Sequence, residues 1–170
     1  MSTESSPQIT FRMIMPWISF GARLSLGAGL FVAGLLKILD LNQSVLAVRA
    51  YDFPIPESLE ALIGYGLPVV EIVVGLGIFV GLLSRWSALV GGVLMVAYIA
   101  GIISAWARGL SIDCGCFTPG GILDADQKTK YLEDILRDIG FLACAIWLIV
   151  FPKSKLSLDS WIHTPLEKEQ

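Results

Sequence analysis

Two cysteines separated by a single glycine, Cys114 and Cys116, are the residues of this sequence best suited to chemistry. A disulfide between them would close a small ring with a strained Cα separation, and strain makes a disulfide more oxidising and easier to exchange. Two thiolates can instead hold a soft cation such as Cu(I) or Hg(II). Zinc fits less well because it prefers four ligands. A third interpretation is structural: a permanent disulfide or two small buried side chains. The spacing alone leaves all three open.

The charges near the pair act on its thiols in opposite directions. Asp113 directly precedes Cys114 and would raise a thiol pKa, whereas Arg108 or Lys128, folded over the pair, would lower it. The third cysteine, Cys144, lies about 20 Å into the last apolar segment, at a rise of about 1.5 Å per residue. It is too deep to resolve a disulfide at the surface, and we expect it to act as a small buried hydrophobe.

The segments that must position the cysteine pair have the composition of a membrane protein. Of the 170 residues, 55% are hydrophobic and 16% are charged, whereas soluble domains usually contain about 25% charged residues. The net charge of −3 gives no case for nucleic-acid binding. A transmembrane helix needs about 20 apolar residues. Four spans with short connections therefore account for most of the 170 residues and are expected to leave no room for a soluble catalytic domain.

The hydrophobic pattern predicts an all-α integral membrane four-helix bundle, with the Cys-Gly-Cys loop between helices 3 and 4. Small residues in the first span, including Gly27 and Gly34, would let a neighbouring helix approach closely. A short interfacial helix from Leu41 and a proline-containing turn follow this span. The predicted organisation is a mobile tail at 1–13, a membrane domain at 14–152 with spans at about 17–39, 59–83, 86–107 and 131–151, and a polar tail at 153–170.

Several charged residues fall inside the predicted spans. Glu71 lies at the centre of the second span, where an unpaired charge is costly. Arg23 and Arg137 are the expected partners, because their depths in the membrane let them reach Glu71. The group would form either an ion pair that fixes helix register or a polar pocket that binds a quinone head group or relays a proton. Lys37 is expected to extend to the interface instead, and Arg23 could do the same. The predicted supporting polar core is Glu71, Arg137, Arg23 and Asp138.

The orientation is predicted from chemistry, because the basic residues on the two sides do not decide it. Disulfide exchange suits the outside of the cell. We therefore expect a multi-pass protein of the plasma (inner) membrane with both termini cytoplasmic and the Cys114/Cys116 loop extracytoplasmic.

The signature Asp113-Cys114-Gly115-Cys116-Phe117 is one of several motifs spread along the chain. The others are Arg23-Leu24…Gly27…Phe31…Gly34…Lys37, Val48-Arg49-Ala50-Tyr51, Leu67-Pro68 with Glu71 and Gly75, Arg85, Arg108-Gly109 and Leu136-Arg137-Asp138. Together they resemble the MauE family of methylamine-utilisation membrane proteins, and the first-span pattern is similar to the related DoxX-like group. The resemblance covers about Arg23 to Val150. One departure is Thr118-Pro119, where family members commonly place a glycine.

The resemblance implies a four-helix membrane protein that assists maturation of the disulfide-rich small subunit of methylamine dehydrogenase, together with a thioredoxin-like partner. Carried over to this chain, it makes Cys114 and Cys116 the thiol/disulfide site, and Glu71, Arg23 and Arg137 the polar core. The layout is also similar to that of DsbB and vitamin K epoxide reductase. Those proteins use two cysteine pairs, so a complete relay here would need the thiols of a partner.

The leading hypothesis is a membrane thiol:disulfide oxidoreductase that exchanges electrons between an extracytoplasmic thioredoxin-like protein and a membrane acceptor, with quinone as the candidate. The first alternative is a soft-metal (Cu/Hg) binding or transport protein. The second is a non-catalytic membrane scaffold with a permanent disulfide, and the sequence leaves these alternatives open.

Overall fold

A computed structural model describes residues 7–113, 121–122 and 129–151. Within these ranges the chain forms five helices and one antiparallel pair of very short strands. The helices are α1 (Pro7–Leu39), α2 (Leu41–Ala50), α3 (Glu57–Val80), α4 (Ser84–Ala107) and α5 (Tyr131–Val150), and the strands are β1 (Ile112–Asp113) and β2 (Gly121–Ile122).

Within the part of the chain that the structure describes, three helical segments are long and apolar enough to cross a membrane: Ile14–Leu39, Glu57–Val80 and Ser84–Ala107. Large apolar side chains project outward from them, such as Val73 on α3 and Val93 on α4, with exposed fractions of 64% and 61%. A soluble protein rarely exposes so much apolar surface. These features support an integral membrane protein.

Helix α5 is the predicted fourth span, and it differs in composition from the other three. It is 20 residues long and carries four charged residues in its first half. It packs against α4 and α1, while α3 packs against α1 and α4. The assignment of α5 as a membrane span stays a prediction.

Helix α1 begins earlier than the predicted first span. It starts at Pro7 and includes residues 7–13, which were expected to form a mobile tail. Proline suits the first position of a helix, because its missing N–H would have no partner there. The part of α1 that is suited to spanning a membrane is Ile14–Leu39.

The predicted short helix after the first span is confirmed as α2. The Asp40 carboxylate caps its N-terminus by accepting a hydrogen bond from the Gln43 N–H at 3.0 Å. The helix lies against α3, where the Ser44 hydroxyl donates to the Gly64 carbonyl oxygen at 2.9 Å.

Glycines allow α1 and α3 to approach backbone to backbone, as the sequence predicted for the first span. A Cβ atom added to Gly75 would lie 2.6 Å from the Phe31 nitrogen, and one added to Gly34 would lie 2.7 Å from the Pro68 carbonyl oxygen and 2.9 Å from the Glu71 Cβ. This close contact brings the last turn of α1 beside the middle of α3.

The strands β1 and β2 pair in the connection between α4 and α5. Ile112 is opposite Ile122, and Asp113 is opposite Gly121. The sequence between the strands is 114–120, so the Cys-Gly-Cys loop itself lies outside the described residues. The residues on either side of it are therefore held next to each other.

Candidate functional site

The first turn of α5 fixes the chain that leads into the cysteine pair. The Tyr131 hydroxyl accepts a hydrogen bond from the Ile112 N–H at 3.1 Å and donates one to the Leu110 carbonyl oxygen. Tyr131 and Ile112 are both buried and pack with Ile102 and Ile135 of α4 and α5. Asp113, the residue before Cys114, thus follows directly after an anchored position.

Arg108 connects the end of α4 to the turn after α2. Its guanidinium donates to the carbonyl oxygens of Asp52, at 2.9 Å, and Tyr51. It also lies over the Phe53 ring, with the guanidinium carbon 5.6 Å from the ring centroid. The sequence suggested this side chain as a cation that could fold over the thiols, and those thiols lie outside the described residues.

The partner of Glu71 is Lys37, which corrects the expectation that Arg23 or Arg137 would fill this role. The Lys37 Nζ lies 2.7 Å from the Glu71 Oε1, and the two side chains are 11% and 0% exposed. Lys37 therefore does not extend to the interface. The reason is the close approach of α1 and α3 at Gly34. Lys37 lies about one helical turn after Gly34 on α1, so its side chain is within reach of the Glu71 carboxylate.

Tyr98 on α4 completes this cluster, and it was missed from the sequence. Its hydroxyl donates to the Glu71 Oε1 and accepts from the Lys37 Nζ at 3.3 Å. The lysine nitrogen also lies 4.9 Å from the centroid of the tyrosine ring. The only available signal was a phenol in the middle of an otherwise apolar segment.

Arg23 caps the C-terminal end of α3 and does not join Glu71. It is 3% exposed. Its Nε donates to the Ile78 carbonyl oxygen at 3.0 Å, and its Nη2 donates to the Phe79 carbonyl oxygen at 2.9 Å. Carbonyls in the last turn of a helix have no partner within the helix, and a cation there also suits the helix dipole. This role excludes the alternative that Arg23 extends to the interface.

Arg137 and Asp138 form a second ion pair, within α5. The Nε and Nη2 of Arg137 both donate to the Asp138 Oδ1 at 3.1 Å, and its Nη1 donates to the Asp134 Oδ1 at 2.9 Å. Asp138 is buried, whereas the arginine side chain is 28% exposed. Arg137 is thus paired by its own helix.

Glu71 and Asp138 meet at a cavity of about 10 Å³ between α1, α3, α4 and α5. Tyr98 also lines it, and the remaining lining is apolar, including Leu30, Met95 and Phe141. Such a volume holds about one water molecule. A quinone ring is far larger, so this cavity does not fit the quinone head group considered from the sequence.

Each carboxylate at the cavity uses one oxygen and leaves the other without a partner. Among the described residues, neither the Glu71 Oε2 nor the Asp138 Oδ2 has a hydrogen-bond partner, and both atoms are buried. Unsatisfied buried acceptors are uncommon in folded proteins. The structure therefore brings two residues of the predicted polar core, Glu71 and Asp138, to the same cavity. Arg137 is paired with Asp138, whereas Arg23 lies at the C-terminal end of α3.

Cys144 lies within the helical packing, away from the polar cluster's hydrogen bonds. It is partly buried and packs against the apolar core that contains Leu26, Ala145 and Leu148. These surroundings agree with its expected role as a small hydrophobe.

Comparison with known proteins places this arrangement in a family. The family model described as methylamine utilisation protein MauE matches residues 15–151. The methylamine utilization protein MauE of Paracoccus denitrificans is 28% identical over 135 residues, which cover 79% of this chain and 69% of that protein. No solved structure matches the chain. The match contains α2 to α5 and nearly all of the membrane-spanning part of α1, and it confirms the resemblance found in the motifs. The chain belongs to the methylamine utilisation protein MauE family.

Proposed function

We propose that this chain is a membrane protein of methylamine utilisation that exchanges thiols and disulfides through Cys114 and Cys116. The observation that carries the proposal is the anchored base of the cysteine segment. Tyr131 holds Ile112 at the start of α5, and β2 pairs with β1 on the other side of the segment. These contacts give the flanks of the segment a defined position relative to the helix ends, and a site for a docking partner needs such support.

The exchange itself requires only the two sulfurs of this chain and a dithiol on the partner. A partner thiolate attacks one sulfur of the Cys114–Cys116 disulfide and forms a mixed disulfide. The second partner thiolate then attacks the mixed disulfide, which leaves the partner oxidised and both cysteines of this chain reduced. Two electrons and two protons move from the partner to this chain. The reverse sequence transfers a disulfide in the other direction.

We further propose four membrane spans, with α5 as the fourth. An apolar stripe on α5 is exposed at helical spacing, as expected for a lipid-facing surface; it consists of Leu132, Leu136, Ile139, Ile146 and Val150. Four spans place both chain ends on one side of the membrane. The β1–β2 pair then lies on the opposite side, which we assign to the extracytoplasmic space because thiol–disulfide chemistry is maintained there.

The test is alkylation of intact cells with a membrane-impermeant thiol reagent, with and without prior reduction. We expect Cys114 and Cys116 to be labelled only after reduction, and to be labelled without disrupting the cells. Cys144→Ser is the matched control and should leave the labelling unchanged, because Cys144 packs in the apolar core.

Three other results would count against the proposal. Labelling that requires broken cells would place the pair on the cytoplasmic side. A pair that stays oxidised in mild reductant would indicate a permanent structural disulfide. Stoichiometric Cu(I) binding that is lost in the Cys114→Ser/Cys116→Ser variant would favour the soft-metal alternative.

A further inference from the structure

The cavity between the two buried ion pairs has the features of an internal binding site. It is lined by Glu71 from α3 and Asp138 from α5, two residues that are 0% and 2% exposed. One oxygen of each carboxylate is already bonded, to Lys37 and Tyr98 in the first case and to Arg137 in the second. The other oxygen of each is buried without a partner among the described residues. The ligand of this site must therefore be a hydrogen-bond donor.

The size and lining of the cavity exclude most donors. Its volume of about 10 Å³ accommodates about one water molecule. A metal cation needs more oxygen ligands than this site provides, since the polar lining is limited to the two carboxylates and the Tyr98 hydroxyl, which itself donates to Glu71. A water molecule can bridge the two oxygens, because it both donates and accepts hydrogen bonds.

The charges around the cavity call for one additional proton. Two cations, Lys37 and Arg137, pair with three carboxylates, Glu71, Asp134 and Asp138, so the cluster carries one uncompensated negative charge. The two carboxylates that line the cavity are 0% and 2% exposed, and burial disfavours their charged form. Binding one proton makes the cluster neutral. The buried side-chain oxygens without a partner among the described residues are the Glu71 Oε2 and the Asp138 Oδ2, and we assign the proton to this pair.

We infer that this cavity binds one water molecule, and that Glu71 and Asp138 share a single proton through it. The site then links the α1–α3 ion pair to the α5 ion pair and can take up or release one proton inside the helix bundle. The site does not depend on the proposed chemistry of Cys114 and Cys116. Glu71 from α3, Tyr98 from α4 and Asp138 from α5 line the cavity. Lys37 from α1 and Arg137 from α5 are paired with these two carboxylates, and Asp134 is paired with Arg137.

The test is infrared spectroscopy of the full chain in lipid nanodiscs near neutral pH, in H₂O and in D₂O. Exposed carboxyl groups are ionised under these conditions, so the absorption of a protonated carboxyl group, identified by its shift in D₂O, reports on the buried site. We expect one such band in the wild type. It should be lost completely in Glu71→Gln and equally in Asp138→Asn, because either change leaves two cations facing two carboxylates.

Matched controls on the same helices are Glu57→Gln on α3 and Glu133→Gln on α5, which are both exposed. Both should keep the band. Lys37→Met removes one cation and should raise the band about two-fold, since a second proton then restores neutrality. The wild-type spectrum keeps the inference testable even where a variant fails to fold.

Two outcomes would overturn the inference. A wild-type spectrum without a protonated carboxyl band would show that both groups are ionised. A band that persists in one of Glu71→Gln and Asp138→Asn would show that the proton resides on a single carboxyl group and is not shared.

Discussion

Removal of the Tyr131 hydroxyl should release the chain that leads into Cys114. In Tyr131→Phe the ring still fills its buried position, but the Ile112 N–H loses its acceptor and the Leu110 carbonyl oxygen loses its donor. Ile112 is 3% exposed, so water does not readily replace the lost bond. A buried donor left unpaired costs about 1–3 kcal/mol. Leu110 is only half-buried, and its carbonyl can be rehydrated at smaller cost.

This cost should appear as local opening of β1, without loss of the helix packing. At about 1.4 kcal/mol for each factor of ten, it corresponds to an increase of about 5- to 150-fold in the opening of the Ile112 amide. Hydrogen–deuterium exchange of the protein in nanodiscs measures this directly. The rate at which reduced Cys114 and Cys116 react with an alkylating reagent should change in the same variant, because Asp113 connects them to the released position.

Tyr65→Phe is the matched control. Tyr65 is 46% exposed, and its hydroxyl donates only a long hydrogen bond of 3.4 Å to Asn42. Exchange at Ile112 and alkylation of the cysteines should be unchanged in this variant. Equal effects of the two substitutions, or an Ile112 amide that exchanges at the wild-type rate in Tyr131→Phe, would refute the role assigned to Tyr131.

Three further substitutions test the packing that supports the site. Lys37→Met should lower the free energy of unfolding by about 3 kcal/mol, because it leaves the buried Glu71 carboxylate without its cation. Combination with Glu71→Gln should restore most of the loss in a denaturant titration. Gly75→Ala places a Cβ atom 2.6 Å from a backbone nitrogen of α1 and should cost about 1–3 kcal/mol. Gly66→Ala on the same helix meets nothing within 4 Å and should not lower the melting temperature. Arg23→Gln should expose the last-turn carbonyls of α3 and speed amide exchange at that end of the helix, and unchanged exchange would contradict the capping role.

The helices were largely predictable because their signals are local. Long apolar segments located α1, α3 and α4, and the prolines at the end of the Tyr51–Pro56 turn separated α2 from α3. The start of α1 at Pro7 was not predicted, because residues 1–13 were expected to form a tail and the first span was placed at about 17–39. The two-residue strands gave no periodic signal at all.

The pairing of buried charges was not predictable, because it depends on contacts between helices. Depth along each helix made Arg23 and Arg137 reasonable partners for Glu71. The actual partner is Lys37, which reaches Glu71 because glycines let α1 and α3 lie close together. Arg23 instead donates hydrogen bonds to backbone carbonyl oxygens, and a pattern of side chains gives no sign of such contacts. Tyr98 and Tyr131 were missed for a related reason: hydropathy treats a tyrosine as part of an apolar segment, whereas its hydroxyl is the group that matters here.

Trapping of a mixed disulfide tests the central claim most directly. The full chain with Cys116→Ser, and separately with Cys114→Ser, is reconstituted in nanodiscs and mixed with a thioredoxin-like protein whose resolving cysteine has been replaced. We expect a covalent complex, cleaved by reductant, with at least one of the two variants and none with the double variant. Absence of a complex with both single variants, when the wild-type pair is fully reducible, would contradict thiol–disulfide exchange by this chain.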